Sequence, residues 1–153
     1  LNGNYHYPNG IAANQIATLD HMGYFAISPG DTGDWVSLPN PLGNAPVAHR
    51  ARSYLHANCS GCHRPGGTGQ GGMDLRYQAS LSQMNVCDQD PTEGDMGIPG
   101  AKRIAPSDPE HSILLHRMLT LGAYRMPPLG SHVVDSSGTQ VIRSWIESLT
   151  GCP

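Results

Sequence analysis

Basic residues are too few in this chain to make a nucleic-acid surface. Nine Lys and Arg stand against twelve Asp and Glu, the formal net charge is −3, and charged side chains are only 14% of the sequence. Binding to a phosphate backbone calls for a basic excess, and so small a net charge steers any partner weakly. No run of about eighteen apolar residues occurs, so there is no candidate transmembrane helix. A secretory signal pattern is also missing, and the sequence opens at Leu1 rather than Met. There is no second C-x-x-C to complete a zinc site, and no β-α-β pattern of the kind that surrounds a thioredoxin-like pair.

What the chain has in quantity is Gly and Pro, 19 and 13 of 153 residues, which predicts much loop around a few helices. The length suits one domain with a modest core. We expect a single domain over 1–153, with 1–48 a loop-rich N-terminal extension holding one helix and 49–153 the core. Asn9-Gly10 marks a turn, and Ile11, Ile16, Leu19 and Met22 give a partial helical stripe over 11–22. Pro29-Gly30-Asp31, Gly33-Asp34 and Pro39-Asn40-Pro41 then punctuate an irregular crossing, with Trp35, Val36, Leu38 and Leu42 as candidate anchors. A short helix is expected over 49–58. Ser107-Asp108-Pro109-Glu110 reads as a capping box opening a helix through Ile113, Leu114, Met118 and Leu121 to Gly122. A last helix over about 137–149 places Val141, Ile142, Trp145, Ile146 and Leu149 on one face.

The most informative stretch is Cys59-Ser60-Gly61-Cys62-His63. C-x-x-C-H is the attachment pattern of covalent haem c, in which two thiols become thioethers and the adjacent imidazole meets iron. Residues three and four apart share a face of a helical turn, so Cys59, Cys62 and His63 can address one macrocycle together. His111 and His116 are poor rivals as a metal pair, because five residues on a helix place them about 140° apart.

Met126, in Arg125-Met126-Pro127-Pro128-Leu129-Gly130, is the candidate for the opposite axial position. Two prolines stiffen the loop that presents its thioether, and a thioether with an imidazole is the axial pair that raises a haem potential. Met118 belongs to a helical stripe, Met73, Met84 and Met22 have no comparable context, and filling gaps is the usual task of Met. Met96 sits in an acidic stretch. His6, His21, His49, His56, His111, His116 and His132 read as surface or satisfied core groups.

Gly67, Gly69 and Gly72 match G-x-G-x-x-G, but a dinucleotide fingerprint needs a strand before it and a helix after it. Here the glycines are expected to let the backbone pass close to the haem, with a loop carbonyl, Pro65 first, accepting the Nδ1 proton of His63. Asp88, Asp90, Glu93 and Asp95 form an acidic cluster whose order fails the EF-hand pattern, so a solvated loop is expected ahead of calcium. Arg64, Arg125, Tyr77 and Tyr124 are candidate propionate partners. Cys87 and Cys152 remain over; they are either a disulfide or two separate thiols, and an oxidising compartment favours the disulfide.

Taken together, Cys59-Ser60-Gly61-Cys62-His63, Met126-Pro127-Pro128-Leu129, a helix before the motif and an amphipathic helix at the end resemble the class I cytochrome c family over about residues 49–153. The resemblance implies an all-α, haem-wrapping cytochrome c fold with His63 proximal and Met126 distal, and electron carriage outside the cytoplasm, in the periplasm or secreted. Asn14-Gln15-x-x-x-Leu19-Asp20-His21 and Gly72-x-Asp74-Leu75-Arg76 are similar to cytochrome domains fused to exported bacterial quinoprotein-like or carbohydrate-binding proteins. Because haem c is attached outside the cytoplasm and no signal pattern is seen, a mature or excised piece of an exported protein is expected. The chain is expected to be a monomer, and the likeness implies a quinoprotein dehydrogenase or a copper polysaccharide oxygenase as its redox partner. The expected function is one-electron transfer without substrate chemistry. The alternatives are a haem peroxidase, which needs an open iron position and acid–base groups, and a gas-sensing module with a displaceable Met126.

Overall fold

A computed structural model describes residues 2–31, 33 and 35–153; Leu1, and Asp34 of the Gly33-Asp34 pair, lie outside the described residues. The chain forms two compact units, Leu1–Leu38 and Pro39–Pro153. In the first, the Asn9-Gly10 turn folds a hairpin of β1 (Asn4–His6) and β2 (Ala12–Asn14), antiparallel with Tyr5 opposite Ala13. Gly10 has φ +82°, a left-handed conformation that glycine adopts freely and that Asn-Gly supplies in tight hairpins. Helix α1 (Gln15–His21) follows at once, because the Asn14 side chain accepts hydrogen bonds from the Ile16 and Ala17 amides and caps it.

This unit corrects the all-α expectation. Among the described residues the chain has four α-helices and a two-stranded antiparallel sheet, and only 31% of it is helical. The expected helix over 11–22 loses its first turn because the Asn-Gly turn sends Ala12–Asn14 back as a strand, and Asn14 then starts the helix late. Ile16 is its buried residue, whereas Ile11 and Met22 are exposed. Trp35, Val36, Leu38 and Leu42, read as anchors, are exposed as well.

The second unit is built on α2 (Val47–Cys59), α3 (Ile113–Leu119) and α4 (Ser136–Ser148). Residue 48, where the extension was expected to end, is already inside α2. The buried face of α4 carries Val141, Ile142, Trp145 and Ile146, packed with Ala51 and Leu55 of α2, Leu115 of α3 and the loop residues Leu75, Met84, Val86 and Ile104. Burying one such side chain contributes about 1.5–3 kcal/mol. The crossing of α2 on α4 is close at Gly138, where a Cβ would stand 2.2 Å from Cε2 of Tyr54. The Tyr54 hydroxyl donates to Asp135 (3.1 Å), and the same carboxylate caps α4 by accepting from the Gly138 amide (2.9 Å). Burial and this carboxylate together push the Tyr54 phenol well above its ordinary value.

Ser107 does not cap a helix. Its φ of +63° is incompatible with the extended conformation of an N-cap, and its hydroxyl donates to the Leu149 carbonyl. Asp108 instead accepts from the Glu110 and His111 amides and caps one 3₁₀ turn, Pro109–His111. Glu110 turns outward to pair with Arg143 (2.8 Å). Helix α3 therefore begins only at Ile113 and stops at Leu119, short of Gly122. Cys87 and Cys152 form a disulfide with Cα atoms 5.7 Å apart. Beside it, the Ile104 amide donates to Val86 O (3.0 Å) and the Arg103 amide to Gln89 O (2.7 Å), which fixes the strand-like segment that presents Arg103.

Candidate cofactor site

Helix α2 ends at Cys59, but its spiral continues for one turn. The Cys62 and His63 amides both donate to the Cys59 carbonyl, at 3.1 and 2.9 Å, so the three side chains of the motif are carried by one turn. Ser60 and Gly61 fill the gap, and the Ser60 hydroxyl folds back on the His56 carbonyl (2.7 Å). Beyond His63 the chain wraps its own turn: the Gly69 amide donates to Cys62 O (3.0 Å) and the Leu75 amide to His63 O (2.9 Å).

Two glycines of that loop are required by close approach. A Cβ on Gly67 would fall 2.1 Å from the Cys62 carbonyl oxygen, and one on Gly69 would fall 2.5 Å from Nδ1 of His63. Gly69 is thus a cradle for the imidazole. Gly69→Ala forces the ring aside or the loop open, and overpacking of this kind costs roughly 1–3 kcal/mol. Urea unfolding of the variant is expected to show a loss in that range; an unchanged midpoint would mean that the loop gives way freely.

His63 Nδ1 is buried with no partner in hydrogen-bonding geometry. This corrects the Pro65 expectation: the loop closes on itself, with the Gly67 amide donating to the Arg64 carbonyl (2.9 Å) and the Arg64 and Gly69 amides to the Cys62 carbonyl (3.2 and 3.0 Å). The Gln70 backbone, which favours the protonated ring, does not complete a hydrogen bond. Burial, reinforced by the Arg103 guanidinium, holds the imidazole below its ordinary value, so it is neutral at pH 7, the form that ligates metals. Burial also pushes the Cys59 thiol up to about 11, with Cys62 adding to the effect. Neither cysteine is in a disulfide, and the raised value at Cys59 is the reverse of what a reactive redox thiolate requires.

Cys59, Cys62, His63 and Met126 all line one cavity of about 470 Å³, within the size range of small-molecule and cofactor sites. Its other walls come from the glycine loop (Gly69, Gln70), the acidic loop (Pro91–Glu93), α3 (Ile113, Leu114, Arg117, Met118) and the loop after it (Ala123, Tyr124, Pro127, Pro128). Of the eight histidines, all within the described residues, His63 alone lines it. His49 meets the Tyr77 hydroxyl, His56 accepts from the Tyr77 amide, His111 pairs with Asp108, and His116 meets the Glu110 carbonyl. Met73 and Met118 also reach the cavity but pack against the hydrophobic core. Met126 is half-buried, in a loop pinned by its own amide donating to Arg117 O (2.9 Å) and by Arg125 donating to Pro128 O (2.9 Å). Its bond to Pro127 is cis.

Among the four expected propionate partners, Tyr124 lines the cavity and Arg64, Arg125 and Tyr77 do not. Tyr77 is held away under Arg52, with the guanidinium 5.3 Å from its ring centroid. Arg103 and Arg117 line the cavity instead. Neither adjoins the haem motif or the methionine motif in the sequence, as Arg64, Tyr124 and Arg125 do. In the acidic loop, Asp90 pairs with Lys102 (2.8 Å), and Asp95 accepts from the Gly97 amide (2.9 Å). Among the described residues no three His, Cys, Asp or Glu side chains gather to hold a metal ion, and no helix is long and apolar enough to cross a membrane. No family model, no characterised protein and no solved structure matches this chain.

Proposed function

We propose that the second unit is a one-electron carrier built on a single covalently attached haem c. The observation that carries this reading is the convergence of Cys59, Cys62, His63 and Met126 on one cavity. Cys59 and Cys62 would hold the group by thioethers, His63 would be the proximal ligand and Met126 the distal one. The residues suit that task in three further respects. The His63 ring is neutral, seated on Gly69 and buried at Nδ1. The walls include the apolar Leu75, Ile113, Leu114 and Met118, which suit an apolar macrocycle. Among the described residues no group of three His, Cys, Asp or Glu side chains gathers at the cysteines, as a zinc site would need.

Once bound, haem c supplies a ferrous–ferric couple whose potential a His/Met pair raises. The chain's part would be to hold the His63 imidazole and the Met126 thioether in place, so that little reorganises when the charge changes. The Gly69 cradle does this for His63, and the two prolines with the Arg117 carbonyl do it for Met126. In this reading the partner is another redox protein, a quinoprotein dehydrogenase or a copper polysaccharide oxygenase by resemblance, and the chain is a monomer working in the periplasm or outside the cell. The Cys87–Cys152 disulfide is compatible with those compartments.

Anaerobic reduction and reoxidation, followed in the visible spectrum with carbon monoxide added to the reduced protein, tests the assignment. A carrier cycles reversibly by one electron per chain and ignores the gas on the seconds timescale. Rapid binding of carbon monoxide would overturn it.

A further inference from the structure

We infer that Arg117 is the positioning residue that locks Met126 over the cavity; the inference rests on the haem reading and names the device that enforces its distal ligand. Arg117 stands in the last turn of α3, where backbone carbonyls have no helical partner. Its carbonyl takes the Met126 amide at 2.9 Å, so the thioether-bearing residue is tied directly to the helix end. Its side chain then clamps what flanks that bond. Nη2 donates to the Glu93 and Gly94 carbonyls at 2.5 and 3.4 Å, and Nη1 reaches the Tyr124 carbonyl at 3.5 Å. The guanidinium also lies 5.7 Å from the centroid of the Tyr124 ring, within cation–π range.

One residue therefore joins two loops that both line the cavity, the acidic loop at Glu93 and the methionine loop at Tyr124 and Met126. The planar fork of donors is what allows this, since an ammonium is a single point that cannot serve both loops in one geometry. A charged donor is also favoured at a helix C-terminus. Met126 has no core packing of its own to hold it, unlike Met73 and Met118. Without the clamp, the loop keeps the Met126–Arg117 backbone bond, the Arg125 bond to the Pro128 carbonyl and the stiffness of Pro127 and Pro128, but loses the guanidinium's tie to the acidic loop.

The test compares wild type with Arg117→Ala, Arg117→Lys and, as a control, Arg143→Ala, whose side chain pairs with Glu110 and does not line the cavity. Exogenous imidazole is titrated into each ferric protein, and the far-red sulfur–iron charge-transfer band is recorded. Arg117→Ala leaves the backbone carbonyl in place and so removes the side-chain clamp alone. Imidazole is expected to bind it about tenfold more tightly than wild type, the scale of one charge-assisted hydrogen bond, with a weakened band and haem still attached. Arg117→Lys should fall between the two, and Arg143→Ala should match wild type. Equal imidazole affinity in Arg117→Ala and wild type would overturn the inference, as would an equal shift in Arg143→Ala. A wild-type protein that carries haem but shows no far-red band would show, before any variant is compared, that Met126 is not a ligand, and this inference would fall with it. A protein that retains no haem would show that the haem reading itself has failed.

Discussion

Met126→Ala is expected to abolish the far-red sulfur–iron band of the ferric protein and to let carbon monoxide bind the reduced protein within seconds. The effect is large because the cavity offers no ready substitute. His63 is the histidine that lines it, and the others described are turned to Tyr77, Asp108 and Glu110 or stand elsewhere on the chain. Met73 and Met118 face the same space, yet both pack on the core, and drawing either toward iron would open a gap in close-packed surroundings. In the haem reading, loss of the thioether would also remove the ligand expected to raise the potential, so the variant should be harder to reduce. A band that survives in Met126→Ala and disappears in Met118→Ala or Met73→Ala would reassign the distal ligand.

Replacing Cys87 and Cys152 together by serine is expected to remove about 4 kcal/mol of stability, from the loop-closure entropy of cysteines 65 residues apart. That is a large share of the roughly 5–15 kcal/mol that holds a typical domain. The bridge ties the segment carrying Val86 and Cys87, which pairs with Ile104, to the chain beyond α4. Without it, the end of α4 is held by its buried face and by Ser107 on the Leu149 carbonyl. Urea unfolding of wild type and of the double variant reads the difference, and a loss below about 1 kcal/mol would show that the unfolded chain is not constrained as the entropy account requires.

How far the chain could be read in advance depended on how local each signal is. Cys59, Cys62 and His63 are brought together by one turn of backbone, so their spacing alone was enough. Helix α4 was legible because Val141, Ile142, Trp145 and Ile146 repeat on one face; it runs over Ser136–Ser148, within a residue of the expectation at either end. The hairpin was missed because Ala12 and Ala13 have none of the branched or aromatic character of strands, and only Asn9-Gly10 hinted at it. Helix α3 was overextended because Ser107 and Glu110 match a capping box in spelling, while Ser107 adopts a left-handed conformation and Glu110 pairs with Arg143. Arg103 and Arg117 were invisible for a different reason. Their place on the cavity wall comes from long-range packing of the 102–105 segment and α3, which no spacing rule encodes.

The most direct test of the central claim is the mass of the denatured protein and of its tryptic peptides after acid extraction. The account predicts one haem per chain that resists extraction and stays on the peptide containing Cys59, Cys62 and His63, with neither thiol open to alkylation. A protein expressed with a haem-attachment system that yields two alkylatable thiols at Cys59 and Cys62 and no retained haem would contradict it.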